Sequence, residues 1–204
     1  EKDVKVVYQG VDTEIYHPVE RDEEVLQKYG IEGDYLLYVG SEKDRKNFDG
    51  TLRIFSKILE ERPELTLVKV GSSGRQRYRD RHLELVKKLG IQENVNFTGF
   101  VDQEDLNQIY SSAEALLQLS HYEGFGRAPL EAMACGTLPI VADRTSLPEV
   151  VGDLGVKIDM DANPEKQILE SLEENDNTDK LLERAGEFKW EKTAEKNLQV
   201  LKNV

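Results

Sequence analysis

The chain has 204 residues, enough for one sizeable domain with its own core. Hydrophobic residues make up 38% and charged residues 33%, a soluble globular balance, and no apolar run nears the roughly 20 residues that a membrane-spanning helix needs. A formal net charge of −13 excludes a general binder of nucleic acid or anionic lipid, so an anionic ligand would need a local basic pocket. The first residues do not resemble a signal peptide, and the single cysteine, Cys135, permits no internal disulfide. Together these set the expectation of a reducing, cytoplasmic setting. Three histidines, His17, His82 and His121, are scattered, and no metal cluster is expected.

In chain order, "VKVVYQG" (Val4–Gly10) predicts a strand closed by glycine, and "YLLYVG" (Tyr35–Gly40) a second. A helix follows over Asn47–Glu61, with Phe48, Leu52, Phe55 and Leu59 at helical spacing, Asn47 as N-cap and Gly50 as a weak point. "LTLVKVG" (Leu65–Gly71) returns to strand, and Arg77–Gly90 is a helix stopped by glycine. Then come strand "VNFTGF", helix "QEDLNQIYSSA", strand "ALLQLS", the short helix "LEAMACG", and strands "LPIVAD" and "GVKIDM". "PEKQILESLEE" and the C-terminal tail, about 177–204, are helical. Strand and helix alternate almost throughout, which predicts an α/β fold: a parallel sheet with helices on both faces. Ligands of such sheets bind at the carboxyl ends of the strands, on the loops leading into helices.

Three of those loops stand out. "GSEKDRKN" (Gly40–Asn47) gathers Lys43, Arg45 and Lys46 before a helix start. It suits a phosphate, or equally a solvated charged loop. "GSSGRQRYRDRH" (Gly71–His82) begins with a glycine turn able to lie close to a ligand. It continues with arginines at alternate positions, an arrangement that spreads them around a helix as an exposed solubilising stretch. It does not satisfy G-x-S-x-G, so a serine hydrolase is not indicated. In "SHYEGFGRAPLEAMACG" (Ser120–Gly136), two glutamates, Glu123 and Glu131, frame a glycine turn at a strand-to-helix junction. Gly124 and Gly126 allow close approach of backbone N–H groups, and Pro129 suits the first helical turn. As a dinucleotide fingerprint the stretch is weak, because Pro129 stands at the sixth position. Glu131 would serve equally well as a helix-dipole carboxylate.

The segment from Ser120 to Asp153 closely resembles the donor-binding signature of retaining glycosyltransferases of the group 1, or family 4, type, with the GT-B fold. That signature is a glutamate, seven residues and a second glutamate, embedded as E-G-F-G-x-x-x-x-E-A-M-A-C-G. "YQGVDTEIYHP", "YLLYVGSEKDRKNF", "NVNFTGFV" and "FKWEKTAEKNL" match further family segments in order, so the resemblance covers essentially the whole chain. It implies a Rossmann-like domain forming one half of a GT-B fold. It also implies transfer of a sugar from a nucleotide-diphosphate sugar to an acceptor hydroxyl with retention, without a metal or other cofactor, in polysaccharide or glycolipid synthesis.

The resemblance also implies roles. Glu131 matches the glutamate that grips the ribose hydroxyls, and Glu123 the one that reaches the donor sugar. Lys46 matches the lysine on the diphosphate, within a loop that opens at Gly40. Gly124, Phe125, Gly126 and Arg127 match the turn that offers N–H groups to sugar or phosphate, and Phe100 and Val101 the base-contact loop; Gly71 remains a candidate from its own glycine turn. Ser41 stands where many members have an arginine, and Arg45 is the candidate replacement cation. Arg127 replaces a usually apolar residue. The nucleotide can be of UDP, GDP or ADP type, and the acceptor glycan or lipid is unspecified. The chain matches the C-terminal donor-binding domain alone and starts at Glu1 rather than methionine. It is therefore expected to be part of a longer enzyme whose N-terminal acceptor domain is its partner and any peripheral membrane contact. Phe188, Trp190, Ala194, Leu198 and Leu201 would supply apolar tail surface toward that domain. A non-catalytic nucleotide-binding module and a GT-B sugar-nucleotide epimerase are the alternatives.

Overall fold

A computed structural model describes residues 4–173 and 177–202. The predicted helical positions Glu174 and 203–204, and the starting residue Glu1, lie outside them. The elements run α1 Glu23–Gln27, β1 Tyr35–Val39, α2 Phe48–Ile58, β2 Thr66–Val70, α3 Gln76–Leu89, β3 Val95–Gly99, α4 Gln103–Ser111 and β4 Ala115–Gln118. They continue with α5 Arg127–Ala134, β5 Leu138–Ala142, α6 Leu147–Val151, β6 Val156–Ile158, α7 Pro164–Glu173, α8 Thr178–Gly186 and α9 Trp190–Lys202. Short 3-10 turns occupy Asp44–Lys46 and Gln92–Asn94.

Among the described residues the sheet has six strands, all parallel, in the order β3-β2-β1-β4-β5-β6. The chain works outward from β1 to β3, then returns to lay β4 on the other side of β1. Leu37 thus pairs with Val68 of β2 and with Leu116 of β4. That reversal opens a crevice above the carboxyl ends of β1 and β4.

Strand alternation sorts the core into two faces. Tyr35, Leu37, Val68 and Leu116 point to one side with Leu26, Ile109, Leu130 and Leu181 of α1, α4, α5 and α8. Leu36, Tyr38, Leu67 and Leu117 point to the other with Phe48, Leu52, Leu85 and Ile168 of α2, α3 and α7. Both faces are covered, so the strands read as nearly continuous apolar runs.

The structure corrects several expectations. Residues 4–10 form no strand. Val4 and Val6 are exposed, and the stretch lies along the tail instead: Thr193 Oγ1 donates to the Tyr8 carbonyl at 2.7 Å and Val11 N to the Phe188 carbonyl at 2.9 Å. A β-branched run with no strand edge beside it has nothing to pair with. Asn47 occupies the N-cap position in a left-handed conformation, φ 53°, but its side chain caps nothing. It donates to the Leu119 carbonyl at 2.9 Å, and the space it crosses is where a Cβ on Gly50 would sit. That explains a glycine inside α2. Phe188 is buried, stacked edge-on against Tyr8 and Phe125, while Trp190, Leu198 and Leu201 are exposed. The short helices α1 and α6 carry too few turns for a periodic signal; α1 is instead started by Asp22, whose side chain accepts from Glu24 N and Val25 N.

A Cβ on Gly10 would collide with the backbone nitrogen of Trp190 and lie 2.8 Å from the Lys189 carbonyl carbon. Backbone cannot step aside as a flexible side chain can. Gly10→Ala should therefore destabilise by about 1–3 kcal/mol, read as a lower urea midpoint with an unchanged slope. A midpoint equal to wild type would show that the tail is not seated on this segment.

Candidate functional site

The carboxyl ends of β1 and β4 meet in a cleft of about 620 Å³ lined by Tyr16, Lys46, Gln118, Glu123, Arg127 and Glu131, among others. Gly124, Phe125 and Gly126 also border it, so the structure brings the glycine turn and both motif glutamates to one cleft. Val39 and Gln118, the last residues of β1 and β4, form part of its floor.

Glu123 is nine-tenths buried. Its Oε1 accepts from Lys46 Nζ at 2.5 Å, Ser120 Oγ at 2.9 Å and Gln118 Nε2 at 3.0 Å. Its Oε2 accepts from Arg45 Nη1 at 3.2 Å. The 3-10 turn that delivers the two cations is tied to the motif loop through backbone as well, since His121 N donates to the Arg45 carbonyl at 2.9 Å. Glu123 N donates to Thr145 Oγ1 at 3.2 Å, and Ser146 Oγ lies 3.0 and 2.7 Å from the carbonyls of Glu123 and Phe125. Thr145 adopts φ 56°, a conformation that costs free energy in a β-branched residue and that recurs at functional sites.

Glu131, on α5, is similarly buried and held from two sides. Tyr110 OH donates to Oε2 at 2.9 Å and Arg127 Nη2 to Oε1 at 3.1 Å. Burial first, and then the Glu131 charge, push the Tyr110 phenol well above its ordinary value, so it remains a proton donor. Gly126, at φ 120°, opens α5, and a Cβ there would press on the Leu147 side chain at 3.1 Å. Arg127 and Ala128, at the start of α5, line the cleft, and the first N–H groups of a helix lack an intrahelical acceptor.

The remaining predicted residues surround this centre without lining it. Gly40 packs against Lys46: a Cβ on it would lie 3.9 Å from Nζ. Gly71, at φ 105°, lets its loop abut the first, because its Cβ would be 3.0 Å from the Gly40 carbonyl oxygen. Ser41 is half-buried, and its carbonyl accepts from Tyr38 OH at 3.2 Å. Phe100 and Val101 follow β3, two strands away from β1; Phe100 is 82% exposed, whereas the Val101 side chain is packed into the core. His17 and His121 are exposed.

Beneath the cationic loop lies a cluster that the sequence reading did not find. Glu42 is fully buried and accepts from Arg79 Nη2 at 2.5 Å, from His82 Nδ1 at 2.9 Å and from Lys69 Nζ at 3.0 Å. The ring of His82 reaches Asp49 Oδ1 on its other side at 2.7 Å. Lys69 also donates to the Gly71 carbonyl at 2.6 Å, stapling the two glycine loops together. The arginine stretch is therefore not simply a solubilising surface. Arg79 reaches inward over the Phe97 ring to Glu42, and Arg81 pairs with Asp44 and Asp49. The available signal was Lys69 itself, a lysine inside an apolar strand, which requires a buried partner.

Burial pushes the Glu42 carboxyl up, but hydrogen bonds from His82 and Arg79 and the nearby Lys69 charge outweigh it and hold the group at about 2, below its ordinary 4.5. A depressed carboxyl contributes stability above its unfolded value and loses it as pH falls through the folded one. Glu42→Gln should therefore cost about 3–5 kcal/mol at neutral pH, by leaving buried cations unpaired. The gap in melting temperature from wild type should narrow as pH falls from 4.5 toward 2. A gap constant across that window would mean that Glu42 does not carry the charge.

Comparison with known proteins identifies the family and the fold. A curated relative, O-antigen chain mannosyltransferase B of Escherichia coli, is 35% identical over 188 residues, covering 87% of this chain and 48% of its own length. The chain thus spans about half of that relative. Among solved structures, Anabaena HepE in complex with UDP and glucose superposes with a TM-score of 0.84 at 21% identity, covering 98% of this chain and 57% of its own. The C-terminal domain of the group 1 family glycosyl transferase LpcC from Francisella tularensis superposes with a TM-score of 0.64 at 24% identity, covering 92% of this chain and 98% of its own. These likenesses establish the Rossmann-like fold found in GT-B glycosyltransferases. The profile of glycosyl transferases group 1 matches residues 21–196, and the chain belongs to that family.

Proposed function

We propose that this chain is the C-terminal, donor-binding domain of a retaining glycosyltransferase, seating a nucleotide-diphosphate sugar for transfer to an acceptor hydroxyl. The observation that carries the reading is the cleft in which Lys46, Glu123, the glycine turn and Glu131 converge. The names of the relatives favour a mannosyl donor: mannosylfructose-phosphate synthase of Agrobacterium fabrum joins the O-antigen enzyme among the matches.

The roles are those that the family resemblance implies, Glu131 on the ribose hydroxyls and Glu123 on the donor sugar, and chemistry supports them: a carboxylate has two accepting oxygens and suits a vicinal diol. Both would repel a diphosphate, which therefore lies between them, over the turn and against Lys46 and Arg45. In the transfer step the bond between the anomeric carbon and the diphosphate oxygen breaks, and its electron pair stays on that oxygen. The acceptor oxygen bonds the anomeric carbon on the same face, and its proton passes to the departing phosphate. Lys46 and Arg45 offset the charge that builds on the leaving group, without a resident metal. The acceptor is oriented by a preceding domain, and the enzyme works in the cytoplasm. Among the described residues, no helix is long and apolar enough to cross a membrane.

The first test is a thermal-shift screen of UDP, GDP, ADP and their sugars, followed by transfer from the ligand that stabilises most. Absence of stabilisation by every nucleotide would overturn the reading. Two substitutions then divide the roles. Glu131→Gln should weaken nucleotide-sugar binding by about 1.5–3 kcal/mol through loss of charge-assisted hydrogen bonds; calorimetry showing wild-type affinity would remove the ribose role. Lys46→Ala should weaken nucleoside diphosphate binding far more than nucleoside binding, whereas Glu123→Gln, by releasing Lys46 and removing a negative charge, should tighten it. Equal losses for diphosphate and nucleoside in the lysine variant would show that Lys46 does not meet phosphate.

A further inference from the structure

Gln118 is an anomaly in its strand. It ends β4 on the same side of the sheet as Leu116, yet it carries an amide and is 1% exposed. Both of its N–H bonds are committed, one to Ser120 Oγ at 2.7 Å and one to Glu123 Oε1 at 3.0 Å. Its Oε1 is buried without a hydrogen-bond partner among the described residues. The amide cannot turn over to relieve this, because a carboxylate only accepts and would then face a carbonyl oxygen. A buried amide that keeps one end unmet in order to direct the other end at a carboxylate is costly for the fold, and such costs persist where they serve a site.

Ser120, also 1% exposed, completes the arrangement: it accepts from Gln118 and donates to the same Glu123 oxygen at 2.9 Å. Glu123 Oε1 thereby has two neutral donors from its own strand end in addition to Lys46. Lys46 belongs to a different loop and is the group that a diphosphate would engage. The two neutral donors are what keeps the carboxylate in place when Lys46 turns toward phosphate.

We propose that Gln118, acting with Ser120, is a positioning residue that fixes the Glu123 carboxylate for the donor sugar, and so sets how strongly the site prefers a nucleotide sugar over the bare nucleoside diphosphate. The proposal rests on the reading that Glu123 faces the sugar. Gln118 borders the floor of the cleft, but its donors are spent on Ser120 and Glu123, so it works through Glu123.

The experiment measures, by calorimetry, the affinity of this chain for GDP-mannose against GDP and for UDP-glucose against UDP, and takes the ratio within the pair that wild type prefers. Gln118→Met keeps the shape of the side chain and removes both donors; Gln118→Glu keeps the shape and sets a second carboxylate beside Glu123. Gln118→Met should lose about tenfold of the preference for the sugar-bearing ligand, with binding of the bare diphosphate retained and the melting temperature held, since the unmet acceptor is also gone. Gln118→Glu should lose at least as much. The double variant Gln118→Met with Glu123→Ala should lose no more than Glu123→Ala alone, because one residue acts through the other. A lowered melting temperature with an intact preference would make Gln118 a structural residue and overturn the proposal, as would additive losses in the double variant. If Glu123→Ala left the preference unchanged, the sugar-facing reading of Glu123 would itself fall and take the proposal with it; if only the Gln118 variants left it unchanged, the proposal would fall and that reading stand.

Discussion

A carboxylate buried to nine-tenths must gather hydrogen-bond donors, and Glu123 gathers them from both sides of the crevice above β1 and β4. Much of the local structure answers to that requirement. The turn after β1 winds into a 3-10 helix and presents Arg45 and Lys46 on consecutive residues. The strand end supplies Gln118 and Ser120. The loop after β5 braces the glutamate's own backbone through Thr145 and Ser146. The crevice exists because β4 returns to the far side of β1, so topology and electrostatics meet at one side chain.

Glu42 solves the same problem one layer below. It sits four residues before Lys46 and is fully buried among Lys69, Arg79 and His82. Lys69 is itself lowered from its ordinary value by burial, against the upward pull of Glu42, so neither partner is comfortable without the other. Replacing a whole buried ion cluster by well-packed apolar residues is often neutral for stability, although removing one member is not. What it supplies here is placement: the Gly40 loop, the Gly71 loop and α3 are locked to one another, and the backbone that carries Lys46 is locked with them. A flexible surface loop with the same three cations would have to be ordered by the ligand itself, at the ligand's expense in affinity.

What the sequence made legible follows from range. Strands buried on both faces show as apolar runs, and helices of several turns as periodic ones, so the sheet and most of its helices were readable locally. The two glutamates, the glycine turn and Lys46 were readable because they form a contiguous motif or a charged helix entrance. Interactions across the fold were not. Val4–Gly10 has the composition of a strand, but pairing depends on a free edge that composition does not reveal. Arg79 looked like its exposed neighbours, because only the position of Glu42 in space turns it inward. Phe188 sits in a polar tail, and its burial depends on Tyr8 and Phe125, each far away along the chain. Gln118 was hidden in the run "ALLQLS", where one polar letter in a strand end ordinarily means exposure.

The charge balance gives the site its logic. The protein is strongly acidic, and the cations of the cleft are already engaged: Arg45 and Lys46 with Glu123, and Arg127 with Glu131. An anionic ligand therefore does not fall into a bare basic pocket. Under the proposed function it would exchange partners, drawing Lys46 from a carboxylate to a phosphate. That exchange strips a desolvated glutamate of one of its donors, which is unfavourable unless another arrives. A sugar hydroxyl is such a donor and a bare diphosphate brings none. On that proposal, recognition of the phosphate and recognition of the sugar would be coupled through one side chain, the sugar restoring the donor that the phosphate removes. A lysine facing an empty pocket would bind any nucleotide; a lysine shared with a buried glutamate would favour the one that carries a sugar.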